Sequence, residues 1–396
     1  MTRNSAVRDL TCRACGDSFD PAETTGPCPS CDGHLTVTYD LDTVEFTPET
    51  VADRRYDGIA RYAELLPFTA ETLVTMDEGA TPLVACPDLA DEWGVGEVYV
   101  KDEGRNPTGS VADRGMAVAV TAAAEAGAED VALPTTGIEG QAAAAYAARA
   151  GLDSHSFVPS RATFDAKAMI NVHGGDMEVV GGRYGDAVES FRETVAEEGW
   201  HSLAPFGTPY RREGAKTLAY ELAEQLDWTA PDAVVYPTGE GVGLVGTHAG
   251  ATELADLGIV GDTPAVYAAQ ADGCAPVVEA FENDADDTEV WETPDTICGG
   301  IEIPDPAGGA DVLAAIRESD GGAVATEDRE ALEGAVSIAQ AEGVEIGASA
   351  GVAASGAAAL ADQGALGPDD TVVLVNTLPG NAEADILRNH LVSKGI

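Results

Sequence analysis

Two cysteine pairs, Cys12-Arg-Ala-Cys15 and Cys28-Pro-Ser-Cys31, have the residue type and spacing to do chemistry. Each pair is followed by a turn former, Gly16 after the first and Asp32-Gly33 after the second, so four thiolates can converge tetrahedrally on one cation. Zinc is the cation such a set takes. With Cys12, Cys15, Cys28 and Cys31 all bound, no coordination position stays open and the metal is structural. Two knuckles without a surrounding βαβ pattern argue against a redox pair. A ribbon over residues 1–40 cannot build a core of its own, so the metal is expected to fold it. Arg13 is the one basic residue between the outer cysteines, which speaks against a nucleic-acid ribbon, and His34 reads as a surface residue rather than a fifth ligand. Cys86, Cys274 and Cys298 stand alone and read as inert, partly buried thiols.

Three further stretches combine glycine with the position at which open α/β sheets bind ligands, the turn from strand into helix. They are Glu103-Gly-Arg-Asn-Pro-Thr-Gly-Ser110, Pro134-Thr-Thr-Gly137 and Pro237-Thr-Gly-Glu-Gly-Val-Gly243. In the second and third, glycine lets backbone N–H groups approach an anion at a helix N-terminus. Any one of them would also serve as a plain connection; the weight comes from all three in one frame.

The elements that must position these turns alternate from about Glu97 onward. Strands are expected at Val98–Lys101, Val131–Pro134, Ser156–Val158, Met177–Val180, Val234–Tyr236, Ala265–Tyr267 and Val372–Val375. Helices are expected at Asp113–Ala128, Glu139–Ala150, Tyr184–Glu198, Arg212–Leu226, Leu244–Leu257 and Arg329–Glu342. Short β-branched runs between amphipathic or Ala-rich helices define an α/β chain with parallel sheets. The Pro/Thr/Asp-rich passage from about Asp42 to Pro82 reads as a wrapping linker.

At 396 residues the chain has room for two or three domains of about 150 residues each. Asp and Glu number 69 against 21 Lys and Arg, a formal net charge of -48, and the lysines are Lys101, Lys167, Lys216 and Lys394. Such a surface repels nucleic acid and anionic membranes. The acids run through amphipathic segments such as Asp186 to Glu198 and form no tail block. Their repulsion is screened at about 1 M salt, where the Debye length is about 3 Å, so the expectation is a halophilic protein of a salt-accumulating cytoplasm. The start lacks an apolar leader and no run of about 18 uncharged apolar residues occurs, in keeping with a cytoplasmic location.

The run Gly79-Ala-Thr-Pro-Leu83, then Val98-Tyr-Val-Lys-Asp-Glu-Gly-Arg-Asn-Pro-Thr-Gly-Ser110 and Asp113-Arg-Gly115, resembles threonine synthases of the archaeal and plant type. Thr135-Thr-Gly137, Pro209-Tyr-Arg211 with Glu213-Gly, Pro237-Thr-Gly239 and Asn376-Thr377 extend the resemblance over essentially the whole chain, and the ribbon resembles one carried by some members. The resemblance implies the fold-type-II pyridoxal phosphate (PLP) scaffold, tryptophan synthase β-like, with two parallel-sheet domains behind a small zinc ribbon. It divides the chain into a ribbon (1–40), a linker with the start of the large domain (41–104), a small domain (105–205) and the large PLP-fold domain (206–396). It also implies a dimer and a cofactor cleft.

In the family a Ser-Phe-Lys-Asp-Arg-Gly sequence supplies the lysine that condenses with PLP and shuttles protons. Here the run reads Ser110-Val-Ala-Asp-Arg-Gly115, so Ala112 stands at the lysine position, and a methyl group can do neither. Ile138 stands where the family has an Asn facing the 3′-oxygen of PLP. Glu240 falls inside the phosphate cradle Gly239, Glu240, Gly241, Val242, Gly243, either against the phosphate or turned outward. By the same resemblance Ser110, Thr135, Thr136, Gly137 and Thr377 line a vestigial cofactor or ligand site, and backbone N–H groups at Thr135, Thr136 and Gly137 grip a carboxylate. The expectation is a threonine synthase-like pseudoenzyme that binds an amino-acid-like small molecule and pairs as a homodimer or with an active paralogue. The alternatives are an active PLP enzyme, a lyase converting O-phosphohomoserine to threonine or a related β/γ-elimination or replacement in amino-acid biosynthesis, and an interaction protein working through its ribbon.

Overall fold

The computed structural model describes residues 3–54 and 58–395, which form two compact units. One comprises the chain up to Ala80 together with Ala112–Tyr220; the other comprises Thr81–Val111 and Glu221 to the C-terminus. The observed limits 112–220 differ from the expected small domain, 105–205, at both ends.

In the first unit, Ser18–Phe19, Val7–Cys12 and Leu35–Tyr39 form a three-stranded antiparallel sheet in that order, carrying the cysteine knuckles. A four-stranded parallel sheet follows in the order Asp176–Val180, Asp153–Pro159, Asp130–Pro134, His201–Ser202. Leu10, Leu35 and Val37 of the small sheet share one apolar cluster with Met116, Ala119, Val120 and Ala123 of the helix Ala112–Glu125. The ribbon therefore borrows its core, as its scarcity of apolar residues requires. The supposed linker also contributes to that core: Ile59, Leu66 and Phe68 belong to the same cluster, Tyr62 and Leu65 are likewise fully buried, and Gly58–Leu65 is a 3-10 helix. A short passage rich in turn formers concealed these anchors because it lacks any sustained period.

The second unit is built on a six-stranded sheet in the order Gly322–Thr326, Ala265–Ala271, Ala233–Pro237, Thr371–Asn376, Glu97–Asp102, Leu83–Ala85, parallel except at the last pair. Every expected strand and helix is present within a few residues, with one break: Arg212–Leu226 divides into Tyr210–Ala215 and Thr217–Gln225 at Lys216. Unforeseen in this unit are the strands Leu83–Ala85 and Gly322–Thr326 and the helices Pro87–Trp93, Pro276–Glu282, Gly309–Glu318, Ala348–Asp362 and Ala384–Ser393. No helix among the described residues is long and apolar enough to cross a membrane.

The first turn of the helix Ala348–Asp362 is capped from a distance. The buried carboxylate of Glu383 accepts hydrogen bonds from the Ser349 N–H at 2.8 Å and the Ser349 hydroxyl at 2.6 Å. Burial pushes the Glu383 carboxyl above the ordinary 4.5, with the Ser349 bonds only partly opposing it. The folded chain then holds a proton that the unfolded chain has released, so this contribution to stability is complete below 4.5 and is lost as pH rises through the folded value. Glu383→Gln keeps the bond from the Ser349 N–H on its amide oxygen, donates its amide N–H to the Ser349 hydroxyl in place of accepting from it, and cannot ionise. Denaturant unfolding at pH 5 and pH 8 is expected to show a smaller loss of stability in the variant than in the native chain.

Candidate functional site

In the ribbon, the Cys12 and Cys31 sulfurs lie 3.6 Å apart and those of Cys15 and Cys28 3.7 Å apart, with all four within 4.8 Å of one another. These separations are far too long for disulfides, whereas a tetrahedral cation with bonds of about 2.3 Å sets its sulfurs about 3.8 Å apart. The backbone N–H groups of Cys15 and Ala14 address the Cys12 sulfur and pull its thiol down to about 6. This is a four-cysteine cluster able to hold a metal.

The first unit places Ala112, Thr135 to Glu139 and Arg211 at the start of three helices. Ala112 opens Ala112–Glu125. Three residues on, a Cβ at Gly115 would stand 2.9 Å from the Arg211 carbonyl oxygen, and one at Gly214 would stand 1.9 Å from that of Arg114. The two backbones meet at these glycines, which no larger residue could occupy. Buried Arg114 donates from Nη1 to the Thr217 hydroxyl at 3.0 Å.

At the second turn, the Thr135 N–H donates to the Phe157 carbonyl at 2.9 Å, and the Thr135 hydroxyl accepts from the N–H groups of Gly137 at 2.9 Å and Gly140 at 3.1 Å. Gly137, at φ +125°, has the Ala166 side chain 2.7 Å from its would-be Cβ. Two of the three N–H groups expected to grip a carboxylate are thus engaged inside the protein. Donors at this end pass to the first turn of the helix Ile138–Ala150, where Ile138 and Glu139 have no helical acceptor. Ile138 is partly exposed, as are Thr136 and Glu139. The Glu139 carboxylate pairs through Oε1 with Nη2 of Arg211, whose Nη1 donates to the Leu203 carbonyl at 3.1 Å. Sequence reasoning quoted Arg211 without a role and passed over Glu139, because an acidic residue in a first turn reads as ordinary helix-dipole compensation.

The second unit holds the other expected site residues. A Cβ at Gly239 would lie 3.0 Å from Ile303 Cγ1, one at Gly241 2.1 Å from Val312 Cγ2, and one at Gly243 1.8 Å from the Tyr236 hydroxyl. Gly241, at φ +90°, is the N-cap of Val242–Asp256 and receives no side-chain cap. Packing by neighbouring side chains therefore accounts for all three glycines without any phosphate. Glu240 turns to the loop at Ala307, whose N–H it accepts through Oε2 at 2.7 Å. Ser110 is buried, and the Val111 N–H donates to the Thr377 carbonyl at 3.0 Å. Pro379 packs on Gly104, 3.0 Å from a would-be Cβ, and Asn376 donates to Asp102 at 2.8 Å.

The lysine ammonium groups all have positions of their own. Lys101 is completely buried on Glu221 at 2.7 Å, with Gln225 and the Thr81 carbonyl as further acceptors. Lys216 is buried on Glu213 at 2.6 Å and over the Tyr39 ring at 4.4 Å. Lys167 donates to the Ser160 carbonyl at 2.9 Å and Lys394 pairs with Glu333 at 3.0 Å.

A match to the pyridoxal-phosphate dependent enzyme family spans residues 74–377. Among solved structures, the Escherichia coli diaminopropionate ammonia lyase, in complex with an aminoacrylate-PLP azomethine intermediate, superposes with a TM-score of 0.69 at 19% identity, covering 80% of this chain and 88% of that one. An alanine-for-lysine mutant of O-ureido-L-serine synthase, with O-ureido-L-serine bound, superposes with a TM-score of 0.65 at 21% identity, covering 78% and 91%. The scaffold is that of the fold-type-II PLP enzymes, an α/β fold with parallel sheets. In sequence the chain is 36% identical to the threonine synthase of Methanosarcina acetivorans over 93% of its own length and 90% of the relative's. The chain belongs to the threonine synthase family of pyridoxal-phosphate dependent enzymes.

Proposed function

We propose that this chain is a non-catalytic threonine synthase homologue that binds an amino-acid-like molecule and acts as a sensor or regulatory subunit. The observation that carries the reading is Ala112 at the head of its helix, in the motif position of the family's lysine, while Lys101 and Lys216 are buried in ion pairs. An aldehyde cofactor needs an amine for its covalent bond. The residues present do not fit PLP held in that way, so no reaction step is assigned to it. Ile138 in place of a polar partner, and glycines filled by Ile303, Val312 and Tyr236, point the same way.

The four-cysteine cluster is assigned to structural zinc, the soft thiolate set and its spacing being what zinc takes. A formal charge of -48 supports a halophilic, cytoplasmic protein that needs salt to hold its compact state. Partnership as a homodimer, or with an active paralogue, completes the reading.

A second reading, an active enzyme converting O-phosphohomoserine to threonine, is favoured by the names of its relatives and by one geometric observation. Lys167 follows Ala166, whose side chain packs on Gly137 of the turn. Phosphate release assays with O-phosphohomoserine and added PLP in molar salt separate the two. No release above background, together with calorimetric binding of an L-amino acid in the absence of PLP, is expected. Turnover abolished by Lys167→Ala would establish the second reading instead.

A further inference from the structure

We infer that Glu139, held by Arg211, binds the protonated amine of a free α-amino acid with an apolar side chain. The inference rests on the proposed binding function and specifies its ligand. Where a cofactor captures the substrate nitrogen as an imine, the protein needs no anion for that nitrogen. Without the covalent step an amino acid arrives as a zwitterion, and its ammonium requires a carboxylate.

Glu139 meets that need within the first unit. Its Oε1 is bound by Arg211, which fixes the side chain, while no contact among the described residues engages Oε2 and the side chain is 30% exposed. Arg211 is buried at 3% exposure and its Nε lacks a partner among the described residues, so the guanidinium is held largely by the Leu203 carbonyl and by Glu139. Arg211 takes one carboxylate oxygen of Glu139 and leaves the other as an acceptor for an ammonium group. One residue earlier, Ile138 offers a partly exposed apolar side chain where a polar amide would have preferred a polar ligand. Among the described residues the first-turn N–H groups of Ile138 and Glu139 meet no backbone acceptor, and these donors can take the ligand carboxylate.

The test is calorimetry in molar salt on the full chain, with L-valine, (S)-2-hydroxyisovalerate, which has the same skeleton with a hydroxyl in place of the amine, and N-acetyl-L-valine. Native protein is expected to bind valine about tenfold or more above the other two, the scale of one charge-assisted hydrogen bond. Glu139→Gln, which keeps an oxygen for Arg211, is expected to lower valine affinity to that of the hydroxy acid while leaving the hydroxy acid unchanged. If native protein binds valine and the hydroxy acid equally, or if Glu139→Gln leaves valine affinity untouched, Glu139 does not read the amine, and the binding function stands without it. If valine and a wider panel of amino acids all fail to bind, the proposed function itself is overturned and this inference with it.

Discussion

Replacing Cys28 by serine is expected to release one zinc ion per chain and to unfold the ribbon, because Cys28 is fully buried and its sulfur closes the four-thiolate cluster. In small metal-folded peptides the zinc accounts for about 10–16 kcal/mol of binding free energy, all of it coupled to folding. The effect should not remain local. Leu10, Leu35 and Val37 belong to the same apolar cluster as Met116 and Val120, so a melted ribbon exposes one side of the helix that begins at Ala112. Metal content by elemental analysis and melting temperature with and without chelator read both consequences. Cys86→Ser, at an isolated buried thiol, is the control and should keep its metal. A Cys28→Ser protein that is metal-free yet melts like the native chain would show that the cluster is not structural.

Removing Lys101 should have the next largest effect. Lys101 and Glu221 are both fully buried in the second unit, 2.7 Å apart, so truncating the lysine removes the ammonium that a fully buried carboxylate faces. Lys101→Met is expected to cost about 3–5 kcal/mol, whereas the double change with Glu221→Leu should regain most of it, since replacing a whole buried pair by apolar residues is often neutral. Gln225 still donates to the Thr81 carbonyl at 2.9 Å in the double variant, so that acceptor keeps a partner. Urea unfolding of both variants measures the difference. Equal losses in the single and double variants would mean that Lys101 matters for its packing rather than for its charge. The result also bears on cofactor chemistry, for an ammonium fixed in this way is not available to an aldehyde.

What the sequence made legible, and what it hid, follows from how each element is buried. The amphipathic helices and β-branched strands were readable because one face of each stays polar. The helix Ala348–Asp362 was not: Ala350, Val352, Ala353, Ala354 and Ala357 are buried around most of its girth, so Ala, Gly and Ser leave no 3.6-residue period to detect. The strand Gly322–Thr326, at the edge of its sheet, consists of Gly, Ala, Val and Thr and is too short to signal by alternation. At the candidate site, Cys12, Cys15, Cys28 and Cys31 announced themselves by spacing alone, and Ala112 by a broken motif. Contacts made through folding were out of reach, among them Glu139 with Arg211 and Glu240 with Ala307. Thr135 shows the converse limit. Its place in the turn was legible, but the hydrogen bonds that turn its hydroxyl inward to Gly137 and Gly140 were not.

The most direct measurement of the central claim is the visible absorbance spectrum of the purified protein in molar salt with added PLP, taken before and after desalting. Beside it stand Ala112→Lys and the double variant Ala112→Lys with Ile138→Asn. The native chain is expected to show no aldimine band after desalting, while a lysine restored at position 112 brings one back, more strongly with Asn at 138. A desalting-resistant aldimine band in the native protein would contradict the account, because a lysine other than one at position 112 would then hold the cofactor.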